Sequence, residues 1–201
     1  VWGMLQWNGK DLTSEDVYFM SESFSRAARS AREMARMLLR WLVLALPIGL
    51  LCGGIGTAFH LAVEAVTELR GAHGWLLWLL PAGGALIALA YKLCRMEKDR
   101  GTNLVLTAVR EAEPIRLRTA PLIFLSTILT HLVGGSAGRE GAALQLGGSI
   151  GAWVGRKIHL DEKDRRIMVM CGMSAAFSGL FGTPITAAIF AMEVVSVGVM
   201  Y

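Results

Sequence analysis

The chain has 201 residues, of which 54% are hydrophobic and only 18% charged, with a mean hydropathy of +0.49. Together with 23 glycines, this composition excludes an ordinary soluble domain and predicts an integral membrane protein. The net charge is +4 and the cations occur in separate patches, so the sequence predicts no nucleic-acid partner.

The first 40 residues are polar and then basic. Residues 1–25 form a polar, acidic leader without a recognisable motif, and both a flexible leader and a folded element fit it. Five arginines then recur at steps of three and four, which places them on one face of a helix over residues 26–40. They are Arg26, Arg29, Arg32, Arg36 and Arg40. We interpret this segment as a basic amphipathic helix that lies against anionic headgroups on the cytoplasmic side of a membrane.

Long apolar runs follow and predict a transmembrane helical domain over residues 41–201, since a membrane span needs roughly 20 apolar residues. Helices are predicted over residues 41–69, 73–94, 119–133, 141–156, 167–180 and 184–198, with a short helix that starts near Thr102. Lys and Arg cluster at residues 92–118 and 156–166, whereas residues 64–73 carry little positive charge. The basic loops are therefore predicted to be cytoplasmic.

Two breaks interrupt the apolar segments. The first, at residues 134–141, reads Gly-Gly-Ser-Ala-Gly-Arg-Glu-Gly and carries Glu140 between two apolar helices. The second lies at Gly182, where Thr183 as N-cap and Pro184 as first helical residue predict a helix start. A carboxylate at membrane depth is costly and marks a functional site, and irregular backbone there must be buried or line a watery cavity.

Helix starts supply the chemistry for binding an anion. Gly101, Thr102 and Asn103 provide a turn and N-cap side chains for one start. Each start carries free N–H groups and about half a positive charge. Starts near Thr102, Gly141 and Pro184 therefore predict an anion-binding site of the kind that broken helices form in transporters.

The two breaks carry motifs that resemble the CLC family of chloride channels and transporters. The motifs are Gly-Arg-Glu-Gly with the Ala/Leu/Gln/Gly-rich helix up to Gly151, and the Phe-Gly-Thr-Pro-Ile-Thr segment over residues 181–193. The resemblance covers about residues 30–200 and implies the N-terminal part of an inverted-repeat helical fold with broken, tilted helices. We interpret the chain as a fragment that contains an incomplete first repeat. The family also implies a homodimer in the cell inner (plasma) membrane, with a separate pathway in each subunit.

Three details resemble the fluoride/proton antiporter branch of that family. Ala142 stands where the family usually has proline, and Thr102 replaces the central serine of the chloride members' Gly-Ser-Gly-Ile-Pro. Val194 occupies the usual place of the inner proton-accepting glutamate, directly after Glu193. The resemblance implies fluoride export by fluoride/proton antiport. Because chloride channels also lack the inner glutamate, a CLC-type chloride channel or chloride/proton exchanger is the alternative.

The resemblance assigns the site residues. Glu140 is the predicted gating and proton-coupling carboxylate, because a carboxylate at a helix start competes with the permeant anion for the same donors. The predicted anion-binding residues are Gly101, Thr102, Asn103, Gly138, Arg139, Gly141 and Ala142. Thr183 and Glu193 are further candidates. In the competing interpretation, Glu140 pairs with Arg139 and only caps a helix.

A glycine-rich phosphate-binding membrane enzyme is the alternative from another class. Residues 134–141 lack the Gly-Lys-Ser/Thr ending and the preceding strand of a P-loop. The cysteines at positions 52, 94 and 171 show no CxxC spacing and are interpreted as packing residues. We therefore expect no enzyme activity, metal or cofactor, and the expected partners are fluoride or chloride, protons and the lipid bilayer.

Overall fold

The computed structural model describes residues 14–96, 101–111 and 115–196. Within them the chain forms seven α-helices and one 3-10 helix, and these residues contain no β-strand. In chain order they are α1 (Ser14–Ala72), the 3-10 helix (Gly74–Leu79), α2 (Leu80–Leu93), α3 (Thr102–Glu111), α4 (Thr119–Leu132), α5 (Arg139–Lys157), α6 (Glu162–Phe181) and α7 (Pro184–Ser196).

The chain divides into two compact units, one up to Leu44 and one from Ala45 onward. In the first unit, α1 begins at Ser14, inside the predicted leader, and includes the predicted basic segment. Residues 26–40 are exposed throughout, and the guanidinium of Arg29 donates to the hydroxyl of Ser25 at 3.4 Å. Residues 1–13 of the predicted leader lie outside the described residues, and the position of the basic helix at a membrane stays a prediction.

Two helical segments of the described chain have the length and composition needed to cross a membrane. Ser25–Ala72 and Gly74–Leu93 contain windows with mean hydropathies of 2.1 and 1.7, of which only 22% and 11% are buried. The core helix of a soluble protein would bury most of such a window. Instead, large apolar side chains such as Leu50 and Trp78 are 76% and 87% exposed, as a lipid environment favours.

Helix α5 forms the buried centre of the second unit and packs closely against α6. A Cβ placed on Gly147 of α5 would overlap the carbonyl oxygen of Gly172 on α6, and a Cβ on Gly172 would overlap that of Gly147. Small residues at such positions let two helices approach closely in a membrane. A buried hydrophobic cluster joins α3, α5, α6, α7 and the segment before α4: Val105, Val109, Ile115, Leu144, Ala152, Val169, Met173 and Ala191.

The helix predicted over residues 73–94 differs in its first part. Gly74–Leu79 is a 3-10 helix, and the α-helix begins only at Leu80. Pro81 lies in the first turn of α2. Because proline lacks an N–H group, it is tolerated at a helix start but would remove a hydrogen bond from a helix interior. The prediction of one helix from residue 73 was therefore wrong.

Helix α6 has a side-chain cap. The Asp161 carboxylate accepts a hydrogen bond from the backbone N–H of Asp164 at 2.8 Å. We expect Asp161→Ala to lower the free energy of unfolding by about 1 kcal/mol, because the first turn loses this acceptor. Thermal unfolding of the full-length protein in detergent measures the change, and Asp161→Asn, which keeps an acceptor, is the control. An unchanged midpoint for Asp161→Ala would contradict the cap's contribution.

Candidate functional site

The glycine-rich break predicted at residues 134–141 separates α4 from α5. Helix α4 ends at Leu132, and its end is closed by a hydrogen bond of 2.8 Å from the N–H of Gly135 to the carbonyl of Thr130. Gly134 has φ +83°, which favours glycine. The chain is extended at Gly138 and becomes helical at Arg139. The prediction of a helix start inside this motif is confirmed.

Glu140 lies in the first turn of α5 with an exposed side chain. Its Oε2 is 3.2 Å from the point that a Cβ on Gly138 would occupy, so the side chain folds back over the helix start. Across the described residues, neither a hydrogen bond nor an ion pair joins Glu140 to Arg139. The geometry therefore gives no support to the interpretation in which this carboxylate only pairs with its neighbour.

The start of α3 lies against the start of α5. Gly101 has φ +60°, and Thr102 is the first residue of α3. The Thr102 hydroxyl oxygen is 2.6 Å from the point that a Cβ on Gly141 would occupy. A side chain at position 141 would therefore collide with this hydroxyl. The structure brings two of the three predicted helix starts together, next to Glu140.

The third predicted helix start, that of α7, lies at a separate groove. Gly182 ends α6 with φ +68°, and the carbonyl of Thr183 accepts the N–H of Ala187 at 2.9 Å, which confirms the predicted break. Pro184 lines an apolar groove of about 580 Å³ with residues of α1 and α6. Neither Thr102 nor Glu140 lines that groove. Thr183, the residue before Pro184, is exposed.

The remaining predicted residues differ in burial. Ala142 is 5% exposed, whereas Arg139 is half-buried. Asn103 is exposed, and its backbone carbonyl accepts the Thr107 hydroxyl at 2.8 Å. Glu193 is exposed near the end of α7.

Gln145 contacts the predicted site, although the sequence did not lead us to predict it. It lies one turn after Gly141 on α5 and is 5% exposed. Its Nε2 donates to the Thr102 hydroxyl oxygen at 3.4 Å, while its Oε1 is buried without a hydrogen-bond partner. Positions 141 and 145 are four residues apart and therefore share a helical face, which is the sequence signal that places Gln145 near Gly141.

A cavity of about 260 Å³ lies on another side of the glycine-rich break. Arg70 and His131 line it together with residues 134–137 of the break and Thr67. The Nδ1 of His131 is 2.8 Å from the carbonyl oxygen of Thr127 on its own helix. The arginine makes this cavity more favourable for anions than for cations.

Known proteins are similar to this chain in both sequence and fold. Residues 83–201 match the family described as voltage gated chloride channel. The chain is 38% identical over 162 residues to the chloride/fluoride channel protein of Pseudomonas syringae pv. tomato, covering 80% of this chain and 36% of that protein. It is 33% identical over 187 residues to the H(+)/Cl(−) exchange transporter ClcA of Cronobacter sakazakii, covering 85% of this chain and 40% of the relative.

A solved structure agrees with these matches. The crystal structure of a CLC-type fluoride/proton antiporter matches with a TM-score of 0.70 and 40% sequence identity, over 75% of this chain and 38% of that one. The chain thus spans less than half the length of each relative.

Proposed function

The chain belongs to the CLC family of chloride channels and transporters, and from this premise we propose that the protein exports fluoride in exchange for protons. It is a helical membrane protein with the N-terminal part of the CLC fold, as the motifs predicted. The observation that carries the proposal is the junction of two helix starts, where the Thr102 hydroxyl meets the backbone of Gly141 beside Glu140. The similarity to a fluoride/proton antiporter and to a chloride/fluoride channel supports fluoride as the substrate.

In the proposed mechanism, Glu140 acts as the gate. Its ionised carboxylate competes with fluoride for the free N–H groups and the positive potential at the start of α5. Protonation removes the negative charge, and the neutral side chain leaves the site to the anion. Each state of the carboxylate therefore favours a different occupant, which couples proton movement to anion movement.

The ligands of the anion are proposed to come from both helix starts. Fluoride is small and strongly hydrated, so its desolvation must be offset by several hydrogen bonds. The Thr102 hydroxyl and the N–H groups that follow Gly138 can provide them. Gly141 leaves room for the Thr102 hydroxyl, Gly101 adopts the positive φ of the turn before α3, and Arg139 is proposed to anchor the loop. Asn103 and Ala142 lie beside these two helix starts and complete the proposed anion site. Thr183 and Glu193 belong to the separate start and end of α7 and are proposed only as parts of a wider pathway.

We further propose the setting in which this site operates. The protein is a multi-pass protein of the inner (plasma) membrane, with its basic N-terminal helix on the cytoplasmic side and a homodimeric assembly in the bilayer. The exposed arginines of residues 26–40 support contact with anionic headgroups. Members of this family are channels and transporters, and we propose no enzymatic reaction.

A CLC-type chloride/proton exchanger is the second candidate, because the chain is also 33% identical to an H(+)/Cl(−) exchange transporter. Efflux from proteoliposomes that contain the full-length protein separates the two. Fluoride and chloride electrodes record anion release with and without a proton gradient. We expect fluoride to leave faster than chloride. We also expect fluoride efflux to drive protons into the vesicles. Preferential chloride release would favour the exchanger, and fluoride release without proton movement would favour a channel.

The hydroxyl of Thr102 has a directly measurable role. We expect Thr102→Val, which keeps the side-chain shape, to weaken fluoride binding roughly tenfold or more, because a hydrogen bond to a charged group contributes about 1.5–3 kcal/mol. Isothermal titration of the full-length protein with sodium fluoride measures the affinity. Thr102→Ser keeps the hydroxyl and is the control. Equal affinities for the valine variant and the parent would remove this residue from the site.

A further inference from the structure

The side-chain amide of Gln145 contacts the Thr102 hydroxyl. Its Nε2 is 3.4 Å from the hydroxyl oxygen and 3.8 Å from the point that a Cβ on Gly101 would occupy. Gln145 belongs to residues 142–152 of α5, which are buried. Glu140 is exposed in the turn before. The amide therefore contacts the hydroxyl from the protein side.

This contact determines which way the hydroxyl proton can point. A threonine hydroxyl has one proton to donate and two lone pairs that accept. When Nε2 donates to the oxygen, one lone pair is occupied, and the proton is free for an acceptor elsewhere. The start of α5 is next to this hydroxyl, whose oxygen is 2.6 Å from the point that a Cβ on Gly141 would occupy, and the proposed anion competes with Glu140 there.

Packing alone does not account for an amide at this position. The Gln145 Oε1 is buried and has no hydrogen-bond partner. A buried acceptor without a partner is destabilising, and a leucine of similar volume would avoid that cost. The amide therefore lowers stability relative to an apolar side chain, and this cost favours a functional role for it in the proposed anion site.

We propose that Gln145 is a positioning residue that aims the Thr102 hydroxyl proton at the bound anion. This inference rests on the proposed function, because it assigns a second residue to the same anion site. Gln145 does not touch the anion in this arrangement. It acts through Thr102, so its effect must disappear when the threonine hydroxyl is absent.

A double-mutant cycle tests this dependence. Sodium fluoride is titrated calorimetrically into the full-length protein carrying Gln145→Leu, Thr102→Val or both. We expect Gln145→Leu alone to weaken binding roughly tenfold, and to cause no further loss in the Thr102→Val background. In the Thr102→Ser background, which restores a hydroxyl, Gln145→Leu should again weaken binding about tenfold.

Two results would overturn the proposal. Equal losses in the threonine and valine backgrounds would mean that Gln145 acts independently, through packing. Tighter binding by Gln145→Leu would mean that its amide oxygen accepts the hydroxyl proton and competes with the anion. Gln145→Met, which is flexible and also lacks the donor, provides the same comparison if the leucine variant fails to fold.

The parent protein separates this inference from the proposed function. If the parent neither binds nor transports fluoride, the proposed function fails. If the parent transports fluoride with protons and the cycle is additive, only the role of Gln145 fails.

Discussion

Proteoliposomes that contain Glu140→Gln are expected to release fluoride without taking up protons. Glutamine has nearly the size of the native side chain but does not ionise, so it neither carries a proton nor competes with the anion as a charge. Proton uptake that accompanies fluoride efflux should fall at least tenfold, to the level of empty vesicles, because the proposed mechanism has no other carrier at this helix start. A pH electrode and a fluoride electrode in the same vesicle suspension record both fluxes.

The matched control is Glu162→Gln. Glu162 also lies in the first turn of a helix and is exposed, but it pairs with Arg166 at 2.5 Å at the start of α6. Its loss should leave the ratio of protons to fluoride unchanged. If Glu140→Gln kept the parent's ratio, the gating role of Glu140 would be wrong, whatever its effect on the rate.

The sequence predicted the breaks well because local residues determine them. A positive φ at Gly134 and Gly182 is accessible to glycine without strain, and Pro184 is favoured at the first position of a helix, where its missing N–H group removes no hydrogen bond. These preferences act within a few residues. The starts of α5 and α7 therefore lie close to their predicted positions, and the family resemblance agrees with them.

Tertiary proximity was the part that local patterns did not determine. The residues around Thr102 do not indicate that its hydroxyl meets Gly141. The spacing of four places Gln145 on the same helical face as Gly141, but its contact with Thr102 depends on how α3 packs against α5. The start of α7 looked equivalent to the other two, yet Pro184 lines the groove with α1 and α6. The predicted convergence of three helix starts is thus observed for two.

The second large effect is expected from Gly147→Ala. The added methyl carbon would overlap the carbonyl oxygen of Gly172 and lie 2.8 Å from the Cβ of Ala176. Both are parts of α6 that a rotamer change does not move, so the two helices must separate. Overpacking of this kind typically costs about 1–3 kcal/mol, and we expect the upper end because the obstacle is backbone. Thermal unfolding of the full-length protein in detergent measures the loss.

The control glycine is Gly54 on α1, where an added Cβ meets nothing within 4 Å. Gly54→Ala should leave stability unchanged or raise it by up to about 1 kcal/mol, since alanine favours a helix more than glycine does. Separation of α5 from α6 would also displace the turn that carries Glu140, so Gly147→Ala should reduce fluoride efflux while Gly54→Ala preserves it. Equal stability and efflux for the two variants would show that the close approach of α5 and α6 does not position the site.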